Sequence, residues 1–387
     1  MKILISIVLS VLLLGCGQKA EQSKIAAIQS TPQTVETTGK MVINPQFDGA
    51  GPFSDGLAVV RVGDRETGKS GYIDKQGKMA INPQFDGAGP FSDGLAVVRV
   101  GDDKTGKYGY IDKQGKIVIP TQFDEAGSFS DGLALVRIGN EKSGKYGYID
   151  KQGKMVINAQ FGPGLLGARS FADGLAAIRI GDEDTGKYGY IDKQGKMVIN
   201  AQFGPGLFSA SSFSDGLAVV RVGDAKTGKY GYIDRQGKMV INPQFDDTSG
   251  FADGLAAIRI EDAKTSKWGY IDKQGKVVIN PQFDGAYPFA DGLAAIRIGD
   301  EDTGKYGYID KQGKMVINPQ FDGAKAFTDG LAEVRIGDDK TGKYGFIDKQ
   351  GKMVINPQFD YTSEYAEGLV AVRIGANDNG KWGYVSR

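Results

Sequence analysis

"KYGYIDKQGKMVIN" occurs at 187–200 and again, letter for letter, at 305–318. Close variants fill most of the 387-residue chain. The glycine of its Tyr/Trp-Gly pair stands at Gly71, Gly109, Gly147, Gly189, Gly231, Gly269, Gly307, Gly345 and Gly383, in steps of 38 residues except for two consecutive steps of 42. Fixed-period self-similarity of this kind means a module that stacks on copies of itself. In "GLAAIRI" (174–180), Ala176, Ile178 and Ile180 share one face and Leu175, Ala177 and Arg179 the other. This period of two specifies a strand, and two largely apolar faces suit one covered on both sides. "GDEDTGK" then makes a hairpin loop, "YGYID" a second strand, "DKQG" a tight turn and "KMVIN" a third strand. The passage "GAGPFSDG" has room for a short fourth.

The fold class is therefore all-β, with nine tandem β-meander repeats of about 38 residues. The array opens on a third strand, "GKMVINPQFD" (39–48), and stops on a second, "GKWGYVSR" (380–387), so each end supplies what the other lacks. That arrangement points to a propeller-like closed ring, which removes two exposed edges. The alternative is an open β-solenoid array, which tolerates near-identical duplicated units.

Lys+Arg 47 balance Asp+Glu 47, so no net field draws the chain to nucleic acid. With His 0 and Cys 1, a histidine base, a triad or a zinc site has no residues to use. No cofactor, no metal and no catalytic residue is expected. Lys2 precedes an apolar run from Ile3 to Leu14, too short to span a bilayer and suited to a signal peptide. The run ends in Leu13-Leu14-Gly15-Cys16, which resembles the lipobox of bacterial lipoproteins. Residues 1–15 are then a lipoprotein signal peptide, 16–38 a lipidated Cys16 with a flexible polar tether, and 39–387 the repeat domain. Gly17 after the cysteine implies, by resemblance to enterobacterial lipoproteins, a membrane-anchored place in the cell envelope at the outer membrane.

Three sets of residues are candidates for binding. Arg61, Arg99, Arg137, Arg179, Arg221, Arg259, Arg297, Arg335 and Arg373 recur in every unit. They can form a basic ring for an anionic polymer or pair with a recurring acid such as Asp192 or Asp173. Tyr108, Tyr146, Tyr188, Tyr230, Trp268, Tyr306, Tyr344 and Trp382 form an aromatic ladder, suited to sugar faces or to packing between units. The two 42-residue units carry "GPGLLGARSFADG" (162–174) and "GPGLFSASSFSDG" (204–216), placing Leu165, Leu166, Arg169, Leu207 and Phe208 in one candidate binding loop region. Acidic loops such as "GDDKTGK" lack the alternating acid pattern of calcium loops and read as turns.

"KWGYIDKQGK" (267–276) and "KWGYVSR" (381–387) resemble the bacterial WG-repeat, or KWG-repeat, family over about 39–387. Only Trp268 and Trp382 keep the tryptophan, and the first unit has Ser70 there. The resemblance implies a repeat architecture and says little about biochemistry. The function expected is a lipid-anchored envelope scaffold for protein or macromolecular binding, without catalysis. The alternative is a carbohydrate or peptidoglycan-binding module. Partners would be the membrane, through Cys16, and a protein or envelope polysaccharide, with no nucleic acid.

Overall fold

The common unit folds as four antiparallel strands. In the first complete one, Gly49–Ser54, Leu57–Val62, Lys69–Ile73 and Met79–Phe85 pair in sequence order. The passage "GAGPFS" thus supplies the additional strand, first in the blade, joined to the next by an Asp-Gly turn. Asp55 (φ 54) and Gly56 (φ 85) are both left-handed there, as a two-residue hairpin of this twist requires. The computed structural model describes residues 39–162, 167–182, 184–205, 209–224, 226–261, 266–375 and 379–387. Cys16 and the leader lie outside them.

Nine such sheets follow one another as blades: blade 1 at 49–85, blade 2 at 87–123, blade 3 at 125–161, blade 4 at 168–203, blade 5 at 210–245, blade 6 at 247–283, blade 7 at 285–321, blade 8 at 323–359 and blade 9 from 361. Blades 4 and 5 reduce the first strand to isolated bridges, Ala168 with Ile178 and Ala210 with Val220. Blade 9 is completed from the other end of the sequence. Lys40–Phe47 pairs with Lys381–Ser386, setting Met41 opposite Val385 and Phe47 opposite Trp382. The ring closes, and the open array is excluded.

The core lies between blades rather than within them. Tyr110, Ile119 and Phe123 of blade 2 pack with Phe129, Ala134, Val136 and Ile149 of blade 3. At the closure Tyr384 and Ala371 pack with Phe53, Ala58 and Val60, and the closing strand adds Ile43 and Phe47. The buried tyrosine of each third strand meets the phenylalanine of the next blade at centroid distances of 4.8–5.1 Å in eight seams. Its hydroxyl donates to that blade's backbone, as Tyr110 to the Gly127 carbonyl (2.7 Å) and Tyr308 to the Lys325 carbonyl (2.8 Å). Such a pair adds about 0.5–1.5 kcal/mol beyond area burial, and the hydrogen bond about 1 kcal/mol.

First strands of successive blades touch: the Ser54 hydroxyl donates to the Phe91 carbonyl (2.7 Å), and Ser92 to Phe129 (2.8 Å). They form the inner wall where blades converge. The fourth strands form the outer edge, with Val42 and Val240 each 40% exposed. Ile180, placed by alternation on the covered face with Ala176 and Ile178, is 48% exposed while those two are buried. It stands at the strand's end, beyond the reach of the neighbouring blade.

Candidate functional site

The Trp/Tyr-Gly pair is explained by the outer strand. Tyr108 faces Phe123 and Tyr110 faces Ile119, so three residues of the outer strand bulge across Gly109. A Cβ on Gly109 would lie 2.5 Å from the Ile119 carbonyl oxygen and 2.7 Å from the Thr121 nitrogen. Only glycine fits under this bulge.

The recurrent arginine faces the aromatic of the same pair across the second and third strands, Arg99 opposite Tyr108 and Arg373 opposite Trp382. The Arg221, Arg259 and Arg373 guanidiniums lie 5.7 Å from Tyr230, 5.7 Å from Trp268 and 5.8 Å from Trp382, within cation–π range. Their acidic partners are local and vary. Arg99 pairs with Asp103 (2.5 Å), Arg137 with Glu125 (2.9 Å), Arg259 with Glu261 (2.6 Å) and Arg335 with Asp339. The recurring acids expected as partners are used elsewhere. Asp192 accepts from the Gln194 and Lys196 amides of its own turn, and Asp173 meets Arg235 of the next blade (3.3 Å). Arg179 is buried; Arg61 donates to the Arg65 carbonyl, and Arg297 to that of Asp284.

The carboxylates hold the seams. Asp86, opening blade 2, accepts from Lys69 Nζ of blade 1 (2.5 Å) and from the Gly101 amide (2.9 Å). The lysine hydrogen bond first, and then the Gly101 N–H, hold its carboxyl below the usual range. The same staple recurs at the closure, where Asp48 binds Lys381 (2.5 Å) and the Gly63 amide (2.9 Å). On the opposite face, the Asp55 carboxylate accepts the Gly94 amide of the next blade (2.9 Å), and Glu367 takes the equivalent place at the closure, on Gly56 (3.2 Å). Acidic loops behave as turns: Asp102 accepts the Lys104 and Thr105 amides. No cluster with metal-ligand composition occurs among the described residues.

Of the aromatic ladder, Tyr146 and Tyr188 are buried, while Tyr108, Tyr230, Trp268, Tyr306, Tyr344 and Trp382 are half-buried. Burial, and then the neighbouring Glu125 carboxylate, push the Tyr146 phenol up to about 12. The ladder is spread over nine blades, but one part gathers. Tyr361 lies 5.8 Å from both Tyr344 and Trp382, is 47% exposed, and lines a groove of about 860 Å³ with Arg373 and Lys340.

The two longer units differ at the seam staple. Gly162 and Gly204 replace its aspartate, so Lys145 donates to the Gly162 carbonyl (2.5 Å) and Lys187 to that of Gly204. Leu165, Leu166, Leu207 and Phe208 lie outside the described residues. Arg169 is half-buried, on the inner wall of blade 4, where its charge reaches Tyr190.

A sequence-family profile described as "WG containing repeat" matches nine stretches: 35–65, 71–104, 108–141, 146–183, 188–224, 230–262, 268–301, 306–340 and 344–382. The chain belongs to the WG-repeat family. None of the curated proteins matches this WG-repeat chain. Among solved structures it is similar to a eukaryotic initiation factor, at 12% identity and TM-score 0.58, with 89% of this chain and 92% of that one covered. It is also similar to a puromycin hydrolase, at 11% identity and TM-score 0.40 over 84% and 57% of the chains. TolB from Acinetobacter baumannii matches at 13% identity and TM-score 0.32, over 69% and 77%. The likeness to the initiation factor shows that the WG repeats share a propeller fold, and nothing of activity.

Reading the units singly missed one group. The inner-wall position of Gly51, Gly89 and Gly127 holds Tyr287 in blade 7 and Lys325 in blade 8. A Cβ on Gly51 would meet Val59 Cγ1 at 2.8 Å, so a larger residue needs a changed partner. Tyr287 lies across from Ala295, and Lys325 from Glu333, to which it donates (2.9 Å). Glu333 is the one acidic residue at its position in nine units, a signal visible only when the units are aligned.

Proposed function

We propose that this WG-repeat chain is a lipid-anchored scaffold of a bacterial cell envelope, probing the space beside an outer membrane with a ring that binds another macromolecule without catalysis. Cys16, directly after the apolar run, is the lipid attachment point, and 17–38 is the tether. Two acyl signals or more on one residue give stable anchoring where one chain is marginal. Repeated acids, lysines and arginines are spent in seams and turns, which suits a rigid support. The observation that carries the partner site is the replacement of the seam aspartate by Gly162 and Gly204 in adjacent blades, ahead of the two longer connections. The sector of blades 4 and 5 is thereby distinct in its seam staple.

Two measurements test this reading. Cys16→Ser should move the chain from the membrane to the soluble fraction of fractionated cells. Leu166→Asp with Leu207→Asp should abolish cross-linking to its envelope partner while leaving the melting temperature within about 2 °C. Unchanged membrane association, or unchanged cross-linking, would remove the corresponding half of the proposal.

A carbohydrate reading has one specific support, the Tyr344–Tyr361–Trp382 group beside Arg373. Stacked rings with flanking polar groups suit a sugar face. Titration with soluble peptidoglycan fragments should then quench Trp382 fluorescence, with the quench lost in Tyr361→Ala.

A further inference from the structure

Nine copies of one module provide their own control, and a second set of departures from the common pattern converges on blades 8 and 9. In blade 8, Phe346 stands where eight other units have tyrosine. In blade 9, Tyr365 stands where the others have phenylalanine. The seam therefore lacks the hydroxyl-to-carbonyl bond found at the other eight, and the two rings are 6.4 Å apart instead of 4.8–5.1 Å. The seam stands open on the inner wall as a cavity of about 290 Å³, lined by Tyr287, Lys325, Leu331, Glu333, Phe346 and Tyr365.

A carboxylate lies at its base. Glu333 is 6% exposed, and its Oε2 receives both Lys325 Nζ (2.9 Å) and, across the seam, Thr362 Oγ1 (2.5 Å). Both donors use that one oxygen. Glu364 also lines the cavity, giving two carboxylates against the one ammonium of Lys325. The chain itself sets the precedent for the ligand: Lys325, half exposed, already lays an alkylammonium on this carboxylate.

The geometry points to a binding site for an alkylammonium group, seated against Phe346 and Tyr365 and donating to Glu333. A charge-assisted bond to a desolvated carboxylate supplies the strongest contact, and the ring faces favour a cation. The volume is at the small end of ligand cavities, matching an amine on a short chain rather than a large cofactor. Two sources share that chemistry, a free polyamine and the lysine side chain of a bound protein. Its lining residues belong to blades 7, 8 and 9, so this proposal and the one above can fail separately.

Calorimetric titration of the full chain tests the inference, with n-butylamine, cadaverine, a blocked peptide holding one lysine, and n-butanol as the uncharged control. Saturable amine binding is expected, at least tenfold tighter than butanol. Glu333→Gln should weaken it at least tenfold. Phe346→Tyr, which returns the seam hydroxyl and narrows the cavity, should also weaken it while keeping or raising the melting temperature, so lost binding there is not lost folding. Cadaverine outcompeting the peptide assigns a polyamine, and the reverse assigns a lysine side chain. Equal binding of butylamine and butanol, full binding by Glu333→Gln, or no saturable binding of any amine would overturn it.

Discussion

At the scale of single residues, the family's glycine is a steric requirement. Gly109 lies under three bulged residues, with the Ile119 oxygen 2.5 Å from any added Cβ. Gly109→Ala should push the outer strand away and cost roughly 2–3 kcal/mol, read from urea unfolding. Gly132 differs: its φ is +83°, yet no atom lies within 4 Å of its added Cβ, so Gly132→Ala should cost only about 1 kcal/mol. Equal losses at the two sites would refute the steric account. Such a glycine is legible as recurrent, but the bulge that requires it depends on register, which a single strand does not disclose. The arginine partners are hidden in the sequence for a related reason. Asp192 recurs with Arg179, but a recurring acid also suits a turn, and its two turn amides hold it there. Glu333 is not legible in its own strand, because one acid has no meaning until eight apolar counterparts are set beside it.

At the scale of elements, strands and turns were readable from period-two patterning and Asp-Gly signals, and the matching ends of the array told of closure. The first strand was harder, because "GAGPFS" buries one large side chain, Phe53, and otherwise looks like a loop. The closing strand carries a clear expectation. Ile43 and Phe47 are buried against Tyr384 and Phe53, and burial of two such side chains contributes about 3–6 kcal/mol. Deleting residues 39–47 should lower stability by at least that amount. It also leaves Lys381–Ser386 as an unpaired edge, so self-association should appear in size-exclusion chromatography. A monomer of unchanged melting temperature would show that the pairing of the two ends matters little.

For the whole molecule, repetition turns small effects into one large one. Tyr72, Tyr110, Tyr148, Tyr190, Tyr232, Tyr270, Tyr308 and Tyr384 all have phenols raised by burial. An unfolded tyrosine ionises near pH 10, and a raised folded value means the native state holds its proton longer. The stabilisation is complete below about pH 10 and is lost as pH climbs toward the folded values. These phenolates should therefore appear together with unfolding, in one steep step seen by ultraviolet absorbance and circular dichroism. Gradual ionisation near pH 10 with the fold intact would contradict a core shared by every seam.

The join between Lys40–Phe47 and Lys381–Ser386 uses the same two strand types as each interior pairing. A gene that gains or drops one whole copy by unequal crossing-over still encodes ends that recognise each other. What then limits the tally is the wedge angle between neighbours, not any dedicated locking device.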